Sequence, residues 1–428
     1  MRKLVLALAI LIPLACLFAV IGYNLPPIHD RLAWRVDEWQ SRIKYAIDPP
    51  EKAVFVPKDQ VSTDVALVHE PTASPSVAPT STPTMPGPTS TPLPSATPTE
   101  TPAPLPNKAM LTGIVHEYQL WNNCGPANLA MDLSYWGWPG DQKDTAAFLK
   151  PNPRDKNVMP YEMQAFVEQD TGLKALVRMG GDGEVLKRFI AAGFPVIVEK
   201  GFEGVSFDGW MGHYEVVNGY DDAKNVYIVQ DSYNGPNLPV AYDKMDSQWR
   251  AFNFLYILVY PPEREAEVIK ILGPQADETA NYQYAAQKAS DEISQLSGRD
   301  LYFAWYNRGT SLMYLQDYTG ASQAYDQAFA IYPSIPEKQR PWRMLWYQTG
   351  PYFAYFYTQR YNDVIDLATT TLDKMSEPIL EESFYWRGRA KAALGDTAGA
   401  IEDYQASLKV HPGFGPSLLE LQNLGAQS

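Results

Sequence analysis

From Pro71 to Pro106 the chain reads PTASPSVAPTSTPTMPGPTSTPLPSATPTETPAPLP, and nothing in that stretch can build a core. Proline lacks a backbone donor and serine and threonine bring little apolar surface, so the segment is read as an extended linker that divides the sequence. As continuous polyproline II, at about 3.1 Å per residue, it would reach on the order of 110 Å, enough to hold a domain away from a membrane. Its Ser/Thr density permits O-glycosylation. Even with that segment included, the 428 residues are 45% hydrophobic and 13% aromatic, enough to build real cores. One core serves roughly 100 to 200 residues, so more than one folded domain is expected.

Charge narrows the function classes. A formal net charge of -14 lacks the basic footprint that phosphate binding needs, so nucleic acid is excluded as a partner. Only two cysteines occur, Cys16 and Cys124, so no disulfide framework holds the fold and Cys124 stands as a lone thiol. Metal-binding spacings are missing as well. There is no CxxC pair, and His116-Glu117 is followed by Tyr118-Gln119-Leu120, without the second histidine of HExxH. No cofactor or metal is expected.

Arg2 and Lys3 precede an uncharged run of 19 residues, Leu4 to Gly22, long enough to cross a bilayer as a helix, and residues 1–23 are read as a transmembrane anchor. Cys16 lies inside that run and is read as a buried transmembrane cysteine, because the apolar sequence continues through Phe18, Val20 and Ile21 where a lipoprotein turns polar. Arg31, Arg35, Arg42 and Lys44 follow the run, which by basic-residue counting favours a cytoplasmic C-terminal side. The uncharged immediate flank and the Pro/Ser/Thr segment argue for the opposite, extracytoplasmic placement. Within the juxtamembrane connector, residues 24–70, the residues Ile28, Leu32, Val36, Trp39, Ile43 and Ile47 form one helical stripe. That helix is expected either on the membrane surface or packed on its own domain or a partner.

Between Asn107 and Pro262 the pattern is that of a compact α+β domain. Leu129, Ala130, Leu133 and Trp136 recur at helical spacing after Cys124-Gly125-Pro126, which puts Cys124 at a helix start with Pro126 in the tolerant first turn. The helix dipole there favours a thiolate. Glu184–Ala192 is expected as a helix, and Pro195–Glu199, Gly212–Tyr220, Val226–Gln230 and Phe254–Tyr260 as strands. A hairpin between the second and third of these brings His213 and Asp231 onto neighbouring strand ends, with Asp221 and Asp222 as competing carboxylates in the turn. His116 precedes the cysteine by eight residues and is read as a surface or structural histidine.

Gln119-Leu120-Trp121-Asn122-Asn123-Cys124-Gly125-Pro126, then Gly212-His213, then Asp231, resembles the C39 peptidases and C39-like proteins, relatives of the papain fold. The resemblance covers about 155 residues, from Asn107 to Pro262. It implies Cys124 as nucleophile, His213 as general base and acid, Asp231 as its orienting partner, and Gln119 as an oxyanion donor beside the Cys124 backbone N–H. Thiol acyl transfer requires those residue types in any case: a base for the thiol, a group that fixes the base, and donors for the oxyanion. The leader-peptide substrate of transporter-fused family members does not carry over, since no Walker-type GxxxxGK[ST] occurs.

Residues 275–428 are read as an all-α tetratricopeptide-repeat domain. Trp305, Gly309, Ala321, Tyr325, Ala328 and Pro333 fall at the spacing of that repeat of about 34 residues, as do Phe384, Gly388, Gly395, Ala400, Tyr404 and Pro412. Tyr361, Val364 and Ala368 mark a degenerate unit between them, displaced by an insertion around Ile335 to Arg340. Asn281–Leu296 and Pro416–Leu424 are expected as caps. Such arrays form grooves for a peptide or partner protein. Two functions follow: a membrane-anchored extracytoplasmic cysteine peptidase acting on a peptide or protein substrate, or a catalytically inactive binding and assembly protein at the cell surface.

Overall fold

The computed structural model describes residues 14, 26–58, 104–152, 154–155, 157–203 and 209–427. The expected anchor, apart from residue 14, and the Pro/Ser/Thr segment lie outside the described residues. Among these no helix is long and apolar enough to cross a membrane.

Helix α1 (Pro26–Ile47) leads into a chain that lies on the helical repeats. Lys44 Nζ donates to the backbone oxygens of Asp373 (2.6 Å) and Met375 (2.5 Å), and Tyr45 meets Trp342 edge-on with ring centroids 5.4 Å apart. Phe55 packs on Phe329, and the Lys58 N–H donates to Asp363 at 2.8 Å. Residues 24–70 are therefore not simply a connector: their described C-terminal part belongs to the repeat core. Trp39, Ile43 and Ile47, members of the expected apolar stripe, remain exposed on the other side.

The α+β region is a seven-stranded antiparallel sheet. Its order is β2 (Lys174–Arg178), β7 (Tyr256–Tyr260), β3 (Val196–Glu203), β4 (Trp210–Asp221), β5 (Val226–Asp231), β6 (Gly235–Ala241), and β1 (Lys108–Met110) pairs with the far end of β4. One face is covered by α2 (Cys124–Tyr135), α3 (Gln142–Leu149) and α4 (Pro160–Asp170), through Leu129, Leu133, Met163 and Phe166 packed on Ile197, Val216 and Ile257. The other face is covered by α5 (Gly183–Ala191), α6 (Tyr242–Trp249) and α7 (Glu265–Leu272), around Phe189, Trp249 and Val268. Strands β3, β4 and β7 are buried along nearly their whole length, which is why their sequences run without clean alternation. The strand expected from Phe254 begins at Tyr256, because Asn253 and Phe254 both adopt positive φ and turn the chain.

Helix α8 (Glu278–Ile293), expected as an outer cap, instead bridges the two regions. Asn281 exchanges two hydrogen bonds of 2.9 Å with the Met179 backbone, and Ala285 enters the sheet's apolar layer. The array continues as antiparallel pairs α9 (Gly298–Tyr314) with α10 (Tyr318–Ile331), then, after short α11 (Met344–Tyr347), α12 (Gly350–Tyr357) with α13 (Tyr361–Lys374), and α14 (Glu381–Ala393) with α15 (Thr397–Val410), closed by α16 (Gly415–Asn423). In two pairs the same device sets the close approach. A Cβ at Gly309 would lie 2.8 Å from the Tyr325 ring and one at Gly388 2.8 Å from that of Tyr404.

The two regions share one core. Trp210, Ala251 and Phe252 of the sheet region join Tyr302, Phe303, Tyr306 and Tyr325 of the repeats in a single buried cluster. Polar contacts tie the seam, including Asn307 Nδ2 to the Arg250 oxygen (2.7 Å), Asn253 Nδ2 to Ser311 Oγ (2.9 Å) and an Arg154–Glu377 ion pair (2.6 Å).

Candidate active site

Cys124 is the first residue of α2, half-buried, at the end of the sheet where β4 begins and β5 ends. His213, the fourth residue of β4, is buried there, and its Nε2 lies 2.9 Å from Asp231 Oδ1 at the close of β5. With Nε2 committed to the carboxylate, Nδ1 is the ring nitrogen left available to Cys124. Asp231 is held in turn: Tyr233 N–H (2.9 Å) and Asn234 N–H (3.1 Å) donate to Oδ1, and Asn234 Nδ2 donates to Oδ2 at 2.7 Å. Phe202 stacks on the His213 ring, with centroids 4.8 Å apart.

The electrostatics favour a charged pair. Burial pushes the Cys124 thiol up, but the hydrogen bond and charge of His213, the Tyr214 backbone N–H and Lys150 together bring it below its ordinary value. Burial pulls His213 down, and Asp231 and Cys124 outweigh it, raising the imidazole to about 9. Asp231, which burial alone would raise, is kept well below the usual carboxylate range by His213, Asn234 and Lys200. Lys200 sits opposite His213 in the β3–β4 register and pairs with buried Glu215 at 2.5 Å.

Gln119 is fixed through its carbonyl end. Ser232 Oγ donates to Gln119 Oε1 at 2.8 Å, Asn128 Nδ2 donates to Ser232 Oγ at 2.9 Å, and the Gln119 N–H donates to the Ser232 oxygen at 2.8 Å. That relay defines which end of the amide is which and leaves Nε2 as the donor end. The loop carrying Gln119 is held by Gln142 of α3. Its Oε1 accepts from the Leu120 N–H (2.7 Å) and Asn123 Nδ2 (2.9 Å), and its Nε2 donates to the Tyr118 oxygen (2.9 Å). Lys150 Nζ donates to the oxygen of Asn122, a residue with φ of 51°.

All four residues singled out in the sequence thus lie at one end of the sheet, with His213 and Asp231 joined directly by a hydrogen bond. His116 is elsewhere, with Nδ1 3.2 Å from Gln230 Oε1. Asp221 and Asp222 engage lysines in the turn, Lys108 at 3.2 Å and Lys187 at 2.6 Å. Sequence reasoning missed Asn128, Gln142, Ser232 and Asn234, whose roles come from partners far along the chain. It also missed Glu199, a buried carboxyl raised well above the ordinary range by burial and by the neighbouring Cys124 charge, against a hydrogen bond from Tyr214. An Asn three residues after a strand-end Asp was the one local signal available, since Asx turns fix such carboxylates. Among the described residues no group of His, Cys, Asp and Glu could hold a metal ion.

No curated protein matches the sequence. Solved structures overlay part of it: a C39-like peptidase from Bacillus anthracis (19% identity, TM-score 0.30, 36% of this chain and 96% of that one), and the peptidase domain of Streptococcus ComA, a bifunctional ABC transporter of a quorum-sensing pathway (18%, 0.29, 35% and 99%). A third is a double-glycine-motif protease from an AMS/PCAT transporter in complex with its leader peptide (18%, 0.26, 38% and 96%). Family profiles match residues 111–257 to the Peptidase_C39 like family and residues 302–335 and 382–413 to tetratricopeptide repeats. The chain carries a C39-like peptidase-family α+β domain followed by a helical region of tetratricopeptide repeats.

Proposed function

We propose that this protein is a membrane-anchored, extracytoplasmic cysteine peptidase that hydrolyses peptide bonds through Cys124, His213 and Asp231. The observation that carries the reading is the 2.9 Å imidazole–carboxylate contact of His213 with Asp231, at the end of the sheet where Cys124 starts a helix.

The Cys124 thiolate attacks the scissile carbonyl carbon, and the carbonyl oxygen gains the electron pair. Gln119 Nε2 and the Cys124 N–H, free at the first position of α2, stabilise that oxyanion. Protonated His213 gives its proton to the leaving amine as the C–N bond breaks, leaving a thioester and a neutral imidazole. His213 then takes a proton from water, whose oxygen attacks the thioester. Collapse releases the acid and regenerates the thiolate–imidazolium pair. Asp231 orients the ring and stabilises its charged form.

The repeats recruit a substrate or protein partner, and residues 1–23 supply the membrane contact. Cys124→Ala and His213→Ala should each abolish turnover of a peptide library, whereas Asp231→Asn should keep part of it because an amide can still orient an imidazole. If wild type cleaves nothing while the repeats capture a partner, the binding and assembly reading replaces this one. Topology has its own test. Protease added to intact cells should cut within Pro71–Pro106, and because residues 35–58 pack on the repeats, the cut body should stay with the membrane until denatured. Cutting only after lysis would place the body in the cytoplasm.

A further inference from the structure

The insertion that displaces the middle repeat, around Ile335 to Arg340, buries Ile335 in the repeat core and holds Arg340 on the backbone oxygens of Pro333, Ile335 and Glu51. Its consequence is spatial. It lengthens the path between α10 and α12 enough for the chain to travel to the sheet, where α11 ends in Tyr347. There Arg343 Nη1 donates to the Trp210 oxygen at 2.8 Å, at the first residue of β4, and Gln348 Nε2 donates to the Ala251 oxygen at 2.7 Å. The Tyr347 ring packs edge-on against Phe252 (centroids 5.7 Å) and Trp210 (6.1 Å), which stack on each other.

Between those rings lies Gly212, the residue before His213. A Cβ there would fall 2.7 Å from Phe252 Cζ and 3.0 and 3.1 Å from two Tyr347 ring carbons, so only glycine lets the strand approach this closely. The Tyr347 hydroxyl stays protonated, because burial and the charges of Cys124 and Glu199 raise it against the pull of Arg343 and the nearby Gly212 backbone.

We propose that Tyr347, delivered by the repeat insertion, is a positioning residue of the thiol site that pins Gly212 and thereby sets the depth at which His213 meets Cys124. The proposal rests on the reading of Cys124 and His213 as an activated pair. It makes the repeat region part of the catalytic machinery rather than an attached recruiter. Loosening the Gly212 end of β4 weakens the imidazolium–thiolate contact, and the thiol reverts toward its ordinary acidity.

The test follows alkylation of Cys124 by iodoacetamide across pH 5 to 9 in the full-length protein, read on the Cys124 peptide by mass spectrometry so that Cys16 does not contribute. It compares wild type, His213→Ala, Tyr347→Leu and Tyr347→Phe, with melting curves to confirm folding. Tyr347→Leu removes the ring that lies against Gly212, whereas Tyr347→Phe keeps it. Tyr347→Leu should lower the alkylation rate at pH 6 by about five-fold and converge with wild type by pH 9, and Tyr347→Phe should follow wild type. A folded Tyr347→Leu protein whose profile overlays a fast, His213-dependent wild type overturns the role of Tyr347 and leaves the peptidase reading standing. A wild-type thiol as slow as free cysteine at pH 6, unaffected by His213→Ala, removes both.

Discussion

The sheet end that carries the thiol and the repeat core beside it are held by different forces. Around Cys124 many buried groups are polar and tied to one another: His213 to Asp231, Asp231 to Asn234, Gln119 to Ser232 and Ser232 to Asn128 by hydrogen bonds, and Lys200 to Glu215 as an ion pair. In the repeats the buried bulk is aromatic, with Tyr306, Tyr325, Tyr355 and Trp386 packed ring on ring. Aromatic burial supplies stability in proportion to area. Buried polar networks contribute little net stability but fix geometry, and they are costly when half broken. The contrast separates where this chain is stabilised from where it is oriented.

That separation is sharpest in the thiol itself. Cys124→Ala should reduce cleavage about 10⁴-fold or more while shifting the melting temperature by less than about 2 °C, since it deletes one half-buried sulfur. A large loss of stability would show that the site also holds the fold. The reverse substitution is Trp386→Ala, which removes a ring packed 4.2 Å from Phe353 and should cost about 3–5 kcal/mol. Because the two regions share a core, it should unfold in one transition with the peptidase domain; two separate melts by calorimetry would break the picture of a common core.

Oxyanion donors come next in size. Gln119→Ala should lower kcat about a hundredfold with little change in KM. Ser232→Ala, which leaves the amide but releases its orientation, should cost about tenfold, and an equal loss in both would mean that Ser232 acts on more than Gln119. The smallest effect is on pH. Cys124 loses its proton below the ordinary thiol value and His213 keeps its proton up to about 9, so kcat/KM should form a plateau bounded by those two ionisations and fall on the alkaline side near pH 9. A rate still rising through pH 9, as for an unassisted thiol, would show that no ion pair forms.

Much of this arrangement was legible in short windows of sequence. The expected helix at Cys124 and strands around His213, Val226 and Ile197 differ from the observed elements by a few residues at their ends. They were legible because an amphipathic period and a helix-start proline are local properties. Spacing alone left three carboxylates open; the 2.9 Å contact of His213 with Asp231 separates them, while Asp221 and Asp222 pair with Lys108 and Lys187 from far along the chain. Long-range packing decided three further points. Of the placements open to the juxtamembrane helix its described end takes the one on the protein's own repeats, the Asn281–Leu296 cap bridges to the sheet, and the insertion leads toward Gly212.

By itself the sequence determined where a thiol, an imidazole and a carboxylate lie along the chain and in what order, because a thiol at a helix start, a following Gly-His strand and an Asp at a strand end are each written within a dozen residues. Tertiary structure alone decided how they are held. Gln142 reaches back to the Gln119 loop, Ser232 reaches across to Gln119 over 113 positions, and Tyr347 reaches Gly212 from the repeats. Such contacts follow from how surfaces pack, and packing depends on the shapes of whole elements rather than on any period along the chain.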